Sequence, residues 1–251
     1  MTAKISVAKQ SIARLAPLFA GWEETMIQSC LAGCMGYAIA DDEENPKAAQ
    51  IVVGDFCFFA GAPSEALAAR AAAPILTPQD EAWYRVIECA WGNRVTRRTR
   101  YAIRKEPGVF DVSKLTSYVS SVSPEYTLVP IDEAIYMQAA QEKWSADFVS
   151  QFMDAGDFYR RGLGMAALRN GHLAAGASSY TIYPGGIEIE IDTKPEFRGR
   201  GLATACGAAL ILECLRRGLY PSWDACDLRS VALAEKLGYH MDHPYPVYVK
   251  C

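Results

Sequence analysis

From Ile187 to Thr204 the chain reads IEIEIDTKPEFRGRGLAT, and two kinds of chemistry stand side by side in it. Side chains alternate between the faces of a strand, so Glu188, Glu190 and Asp192 share one face while Ile187, Ile189 and Ile191 share the other. Three carboxylates on one face repel one another, and in a partly dry cleft at least one is pushed toward neutrality, which suits a general base for an ammonium substrate. Glu190 is the first candidate and Glu188 the second; a solvated strand face is the competing reading. Beyond the strand, Arg198-Gly199-Arg200-Gly201-Leu202-Ala203 stands at the mouth of a helix. Amides at a helix N-terminus lack internal partners and point outward with the dipole, and glycines let a phosphate approach the backbone. The glycine spacing fits no dinucleotide fingerprint and no Gly-Lys-Ser/Thr follows, so Rossmann and Walker sites are excluded. A tight packing turn is the alternative.

Other reactive residues form no comparable group. The eight cysteines sit mostly among Ala, Leu, Val and Phe, as small core hydrophobes do, and no His or base is spaced to activate one. They are expected to be reduced thiols. A zinc site would need Cys30-x3-Cys34 to meet His240-x2-His243, so no metal is expected. Arg94, Arg97, Arg98, Arg100, Arg104 and Lys105 crowd one strand, which reads as a solvated face before a nucleic-acid site.

Stepping outward, 251 residues with 51% hydrophobic and 22% charged composition describe an ordinary globular protein able to bury about 70% of its unfolded surface. The net charge of −4 divides evenly between the halves, so neither attracts polyanions as a whole. The charge-free stretches Met26–Ala40 and Asn170–Ile187 are too short or too interrupted for a bilayer span, and a cytoplasmic location is expected. The first half reads as helices at Ile5–Phe19 and Trp22–Leu31, strands at Cys34–Ala40, Ile51–Val53 and Phe56–Ala60, helices at Ser64–Ala72 and Pro78–Ala90, then the basic strand. A Ser- and Pro-rich connector carrying a helix follows, and the domain boundary is placed near residue 122. The second half reads as a strand at Tyr126–Ile131, a long helix from Asp132 through Phe152, and a hairpin of Leu163–Arg169 and His172–Tyr183 about Asn170-Gly171. Then come the strand Ile187–Thr193, the helix Leu202–Arg217, a short strand at Tyr220–Asp224 and a helix from Asp227 to Leu237.

On Arg198, Gly201 and Ala203 the sequence resembles the GNAT superfamily of N-acetyltransferases, whose motif is Arg/Gln-x-x-Gly-x-Gly/Ala. About thirty residues later Ser230, Leu233, Lys236, Gly238 and Tyr239 spell the pattern of that family's last helix. The resemblance covers residues 123–251 as a GNAT-like domain and implies a mixed, splayed α/β sheet flanked by helices. Residues 1–122 are expected to form a smaller α/β domain of unassigned role, the two-domain form being the nearest family pattern. It further implies acetyl-CoA bound through Thr193, Arg198, Gly199, Arg200, Gly201, Leu202, Ala203, Thr204 and Asp227, without a metal. Direct transfer to a small-molecule or peptide amine follows, with no nucleic-acid or membrane partner expected. Two departures stand out: Asp227 replaces a common Asn and reads equally as a helix cap, and Ala234 replaces a Tyr that often protonates the leaving thiolate. Water, Tyr239 or Tyr245 would then supply the proton, or none is needed. A catalytically silent acyl-CoA-binding module is the alternative.

Overall fold

The computed structural model describes residues 5–251 and divides into two compact units, one of residues 1–100 and 244–251 and one of residues 101–243. The division falls at residue 101, where the sequence sets the domain boundary near 122, and it returns the last eight residues to the first unit. The reason lies in α4 (Val112–Ser120), read from sequence as part of a connector. Its hydroxyls bond back into the helix, as Thr116 Oγ1 does to the Val112 carbonyl at 2.7 Å, while Leu115 is fully buried among residues of the second core.

The first unit contains β1 (Ile5–Ser6), α1 (Thr25–Leu31), β2 (Tyr37–Ala40), β3 (Ala48–Val53), β4 (Phe56–Gly61), α2 (Glu65–Ala68), β5 (Ile75–Pro78) and α3 (Glu81–Trp91). Antiparallel pairing joins β1 through β4, and β5 lies parallel to β4. Every residue of β3 is buried, which is why its run lacks a polar alternation. Two expectations are corrected here. Residues 9–19 form a 3-10 helix behind β1, and Pro78 ends a strand while Asp80, accepting from the Ala82 and Trp83 amides, opens α3. The basic run is β6 (Val95–Ile103); Arg94 rests on Trp91, Arg97 on Tyr84 and Arg100 on Phe56, so much of its charge packs over aromatic faces.

In the second unit β7 (Thr127–Pro130), β8 (Gly164–Arg169), β9 (His172–Tyr183) and β10 (Gly186–Thr193) run antiparallel, and β11 (Tyr220–Ser222) adds a parallel edge. Asn170 and Gly171, at φ 51° and 80°, supply the left-handed pair that a two-residue hairpin turn requires. The helices are α5 (Glu133–Gln141), α6 (Ala155–Arg161), α7 (Leu202–Arg216) and α8 (Leu228–Leu237). The expected long helix through Phe152 is corrected: it stops at Gln141, Glu142 turns extended, and a 3-10 turn occupies residues 146–148 before α6, which the sequence did not reveal. Asp157 anchors α6 through Arg161 at 2.6 Å, and that guanidinium holds its carboxyl down at about 2. The chain leaves β11 for β12 (Asp224–Ala225), which pairs with residues 101 and 102, and the long strand β13 (Met241–Lys250), also unread in the sequence, closes the fold.

Helix α7 lies close on its sheet because Gly207 has no side chain: a Cβ there would stand 2.9 Å from Leu237 Cδ1 and 3.2 Å from Ile191 Cδ1. Among the described residues no helix is long and apolar enough to cross a membrane. No group of three or more His, Cys, Asp or Glu among them is arranged to hold a metal; His240 meets Glu106 at 2.6 Å and His243 meets Asp242 at 2.9 Å.

Candidate active site

The site is built around β10. Its isoleucine face packs on α7, with Ile187 and Ile189 buried in that core. The opposite face carries Glu188, Glu190 and Asp192, which pair across β9 with Thr181, Ser178 and Gly176. A register shift between Glu188 and Ile189 leaves Tyr180 of β9 as an extra residue, and parallel pairing with β11 ends at the same place, Glu188 opposite Ser222. Beyond it β11 turns away toward β12, so among the described residues no strand pairs with the outer edge of Ile189–Thr193. That edge presents backbone donors and acceptors to whatever lies in the splay.

The three carboxylates are not equivalent. Glu188 is 4% exposed and Glu190 half-buried. Asp192 is drawn off the group: its Oδ1 receives the Thr193 amide at 2.6 Å and the Arg198 guanidinium at 3.3 Å. Around Glu188 lie phenols whose acidity is suppressed. Burial first, and the Glu188 charge in addition, push Tyr183 up to about 12, against the opposing effect of the hydrogen bond it shares with the Ser222 hydroxyl at 2.8 Å. Burial likewise raises Tyr239 well above the ordinary phenol range, and its hydroxyl donates to the Pro221 carbonyl at 2.7 Å. The Tyr239 hydroxyl is thus engaged on a backbone carbonyl, and Ala234 is fully buried in the core.

The turn after β10 is built on two glycines and opens α7. Gly199 and Gly201 have φ of 76° and 77°, the left-handed region that favours glycine, and no atom stands within 4 Å of a Cβ built on either. Gly201 caps α7 without any side-chain hydrogen bond, and the first intrahelical bond runs from the Ala205 amide to the Gly201 carbonyl at 3.0 Å. The amides of Leu202, Ala203 and Thr204 thus precede the helical ladder, while the Leu202 and Thr204 side chains are buried. Arg198 turns back to brace the turn, donating to the Thr193 carbonyl at 3.0 Å. Arg200 reaches Tyr126 at 3.1 Å and stacks on Phe197, which Arg169 also covers. Asp227 caps α8 on the Arg229 and Ser230 amides, and the Arg229 side chain at 2.6 Å keeps its carboxyl low. Asp227→Ala is expected to lower stability by about 1 kcal/mol in chemical denaturation without a change in ligand-induced stabilisation.

The second motif explains itself structurally. The Ser230 hydroxyl receives the Trp223 indole at 3.0 Å, Gly238 ends α8 at φ 111°, and Tyr239 reaches β11, so these residues fasten α8 beside the splay. Among the aromatic residues of the segment between α5 and β8, Phe152 and Phe158 are buried against each other at 5.0 Å, Tyr159 is 83% exposed, and Trp144 is half-buried. Sequence reasoning missed Glu142, Lys194 and Phe148. Lys194 follows β10 directly, and its Nζ lies 2.9 Å from Glu142.

All eight cysteines are thiols, and burial pushes Cys30, Cys57, Cys206 and Cys214 up to about 12. Iodoacetamide should therefore modify only exposed cysteines such as Cys89, Cys226 and Cys251 and leave initial rates nearly unchanged. Trapping an acetylated Cys226 on the reaction path would overturn direct transfer.

An open strand edge, a glycine-opened helix beside it and a carboxylate face behind it stand together on the second unit. The family model for GNAT acetyltransferase matches residues 16–248, and the chain belongs to that family, whose members use acetyl-CoA. A crystal structure of a GCN5-related N-acetyltransferase-like protein from Streptococcus suis 89/1591 is 42% identical, covering 96% of this chain and 99% of that one with a TM-score of 0.92. The uncharacterized N-acetyltransferase YdfB of Bacillus subtilis strain 168 is 34% identical over 110 residues. That match spans 43% of this chain and only 39% of the relative's length. An acetyltransferase of the GNAT family from Colwellia psychrerythraea, 9% identical, shares the fold with a TM-score of 0.55 over 99% of this chain and 100% of that one.

Proposed function

We infer that the protein transfers an acetyl group from acetyl-CoA directly to a primary amine of a small molecule or peptide, at the splay between β10 and β11. The observation that supports this reading is that one strand carries an outer edge past the last β11 pair, a glycine turn into α7 and a face of three carboxylates, the first two suited to the cofactor and the third to an amine. The backbone of Gly199 through Ala203 would hold the pyrophosphate, and the Ile189–Thr193 edge would pair with the pantetheine. Leu202 and Thr204 contribute amides, since their side chains are buried; Arg198 shapes the turn, and Asp227 serves only as the cap of α8. The thioester supplies the activated acyl group. Glu190 takes a proton from the bound ammonium so that the neutral amine attacks the thioester carbonyl and the thiolate leaves; Glu188 is buried and Asp192 is bound to Arg198. With Ala234 in the core, a coenzyme thiolate leaves without a side-chain acid or takes its proton from water.

The test is thermal denaturation with acetyl-CoA, followed by a free-thiol assay across an amine library. Acetyl-CoA is expected to raise Tm according to RT ln(1 + [L]/Kd), and thiol is expected to appear only when an acceptor amine is present. Ala234 favours one second reading, a silent acyl-CoA-binding module, whose signature is stabilisation without amine-dependent thiol release.

A further inference from the structure

At the far end of α7, Ala209, Leu212, Glu213, Arg216 and the Arg217 that follows the helix recur at the i, i+3, i+4, i+7, i+8 spacing of a single stripe, and that stripe borders a cavity of about 360 Å³. Facing it are Val119 of α4 and, at the start of β8, Leu163 and Met165. These walls are apolar: Leu163 and Ala209 are buried, and Val119, Met165 and Leu212 are half-buried.

The cavity lies on the isoleucine side of the sheet. Met165 pairs with Ala177 and Ala177 with Ile191, so the three form a cross-strand row whose side chains share that face. The neighbouring row is Gly164, Ser178 and Glu190, and side chains there take the opposite face. At 1.5 Å per residue, the Arg217 end of α7 also stands about 20 Å along the axis from the glycine turn. Neither the carboxylates of β10 nor that turn borders the cavity.

Three charged side chains close one end of it. The Glu213 carboxylate receives Arg216 Nη2 at 2.6 Å, Arg216 Nε at 2.7 Å and Arg217 Nε at 2.8 Å. Two guanidiniums thus share one carboxylate, which they hold down at about 2, and the group keeps one positive charge throughout the neutral range. Arg217 engages Glu213 through Nε alone, and among the described residues its two terminal nitrogens have no partner. A guanidinium fork with open donors therefore stands beside an apolar wall.

Each half of this lining selects against a different ligand. A small inorganic anion leaves the apolar wall uncovered, a neutral hydrocarbon leaves the fork unmatched, and a cation is repelled by the net charge. A carboxylate on a hydrocarbon chain satisfies both halves, since its two oxygens match the fork and its chain covers the wall. The volume lies at the small end of ligand sites, which run from about 300 to 1,000 Å³, and so suits a chain of medium length rather than a long lipid. We propose that this cavity binds a medium-chain monocarboxylate, with its head on Arg217 and its chain against Leu163, Met165 and Leu212. The site is independent of the acetyl-CoA reading above.

The probe is octanoate, titrated by calorimetry, with acetate, octan-1-ol and octylammonium as comparisons. Octanoate is expected to bind once per chain with a Kd below about 1 mM, at least about tenfold tighter than each comparison. Arg217→Gln, at an exposed position, should remove the preference for octanoate over octan-1-ol and leave Tm nearly unchanged. Leu212→Trp fills the apolar end and should weaken octanoate by about tenfold in a protein whose folding is verified by its Tm. Saturating coenzyme A should leave the octanoate affinity within about twofold. Octanoate bound no tighter than acetate or octan-1-ol, or bound equally well by the Arg217 variant, overturns the proposal. Competition with coenzyme A also overturns it, by moving octanoate to the splay beside β10. A dimer in sedimentation that Leu212→Trp releases assigns the cavity to a second copy of the chain instead.

Discussion

Glu190→Gln is expected to lower turnover at neutral pH by about 10²–10⁴-fold, the usual loss when a general base is removed. The substitution keeps the shape of the side chain and leaves the cofactor turn untouched, so the coenzyme-induced rise in Tm should persist. Its effect should shrink at high pH, where more of the amine is already neutral. Glu188→Gln provides the comparison, because the two carboxylates stand two residues apart on one strand face, roughly 7 Å, and can titrate as a pair. Glu188 is buried beside Ser222, its partner across β11, and among phenols that feel its charge, whereas Glu190 lies past the last parallel pair. Near wild-type turnover of the Glu190 variant at neutral pH removes it as the base, and a selective loss in the Glu188 variant moves the role there.

Gly201→Asp is the substitution expected to separate folding from cofactor binding most sharply. At φ 77° most side chains are strained, but Asp is among the few non-glycine residues that visit this region, and no atom lies within 4 Å of the new Cβ. The fold should hold, with Tm in the absence of ligand within a few degrees of wild type. The introduced carboxylate, however, stands at the amides that precede the α7 ladder and repels a pyrophosphate there. Affinity for acetyl-CoA is expected to fall by at least about 100-fold, roughly 2.7 kcal/mol, read by calorimetry. Unchanged affinity in the folded variant would place the cofactor elsewhere.

The contrast between α7 and the segment after α5 indicates which parts of a site local sequence can specify. Alternation in Ile187–Thr193, the Asn170-Gly171 turn, the glycines at 199 and 201 and the cap at Asp227 act over two to four residues, so each was legible and each stands where the sequence reading puts it. The helix expected through Phe152 failed for a different reason: Phe148 is seated by Gly176, twenty-eight residues away, and Glu142 is drawn out by Lys194. A propensity of a few tenths of a kcal/mol per residue yields to such packing.

The same division holds across the chain. By itself the sequence determined the glycine turn ahead of α7, the shared face of Glu188, Glu190 and Asp192, and the strand and helix that present them, because backbone conformation and periodicity are local properties. Tertiary structure alone decided that Asp192 is occupied by Arg198, that Glu188 is buried and Glu190 half-buried, and that Tyr239 spends its hydroxyl on Pro221. It likewise decided that α4 belongs with residues 101–243 and that the last eight residues return to the first unit. Those outcomes depend on which distant surfaces meet, and burial, ion pairing and proton affinity follow from the meeting rather than from the residues taken singly.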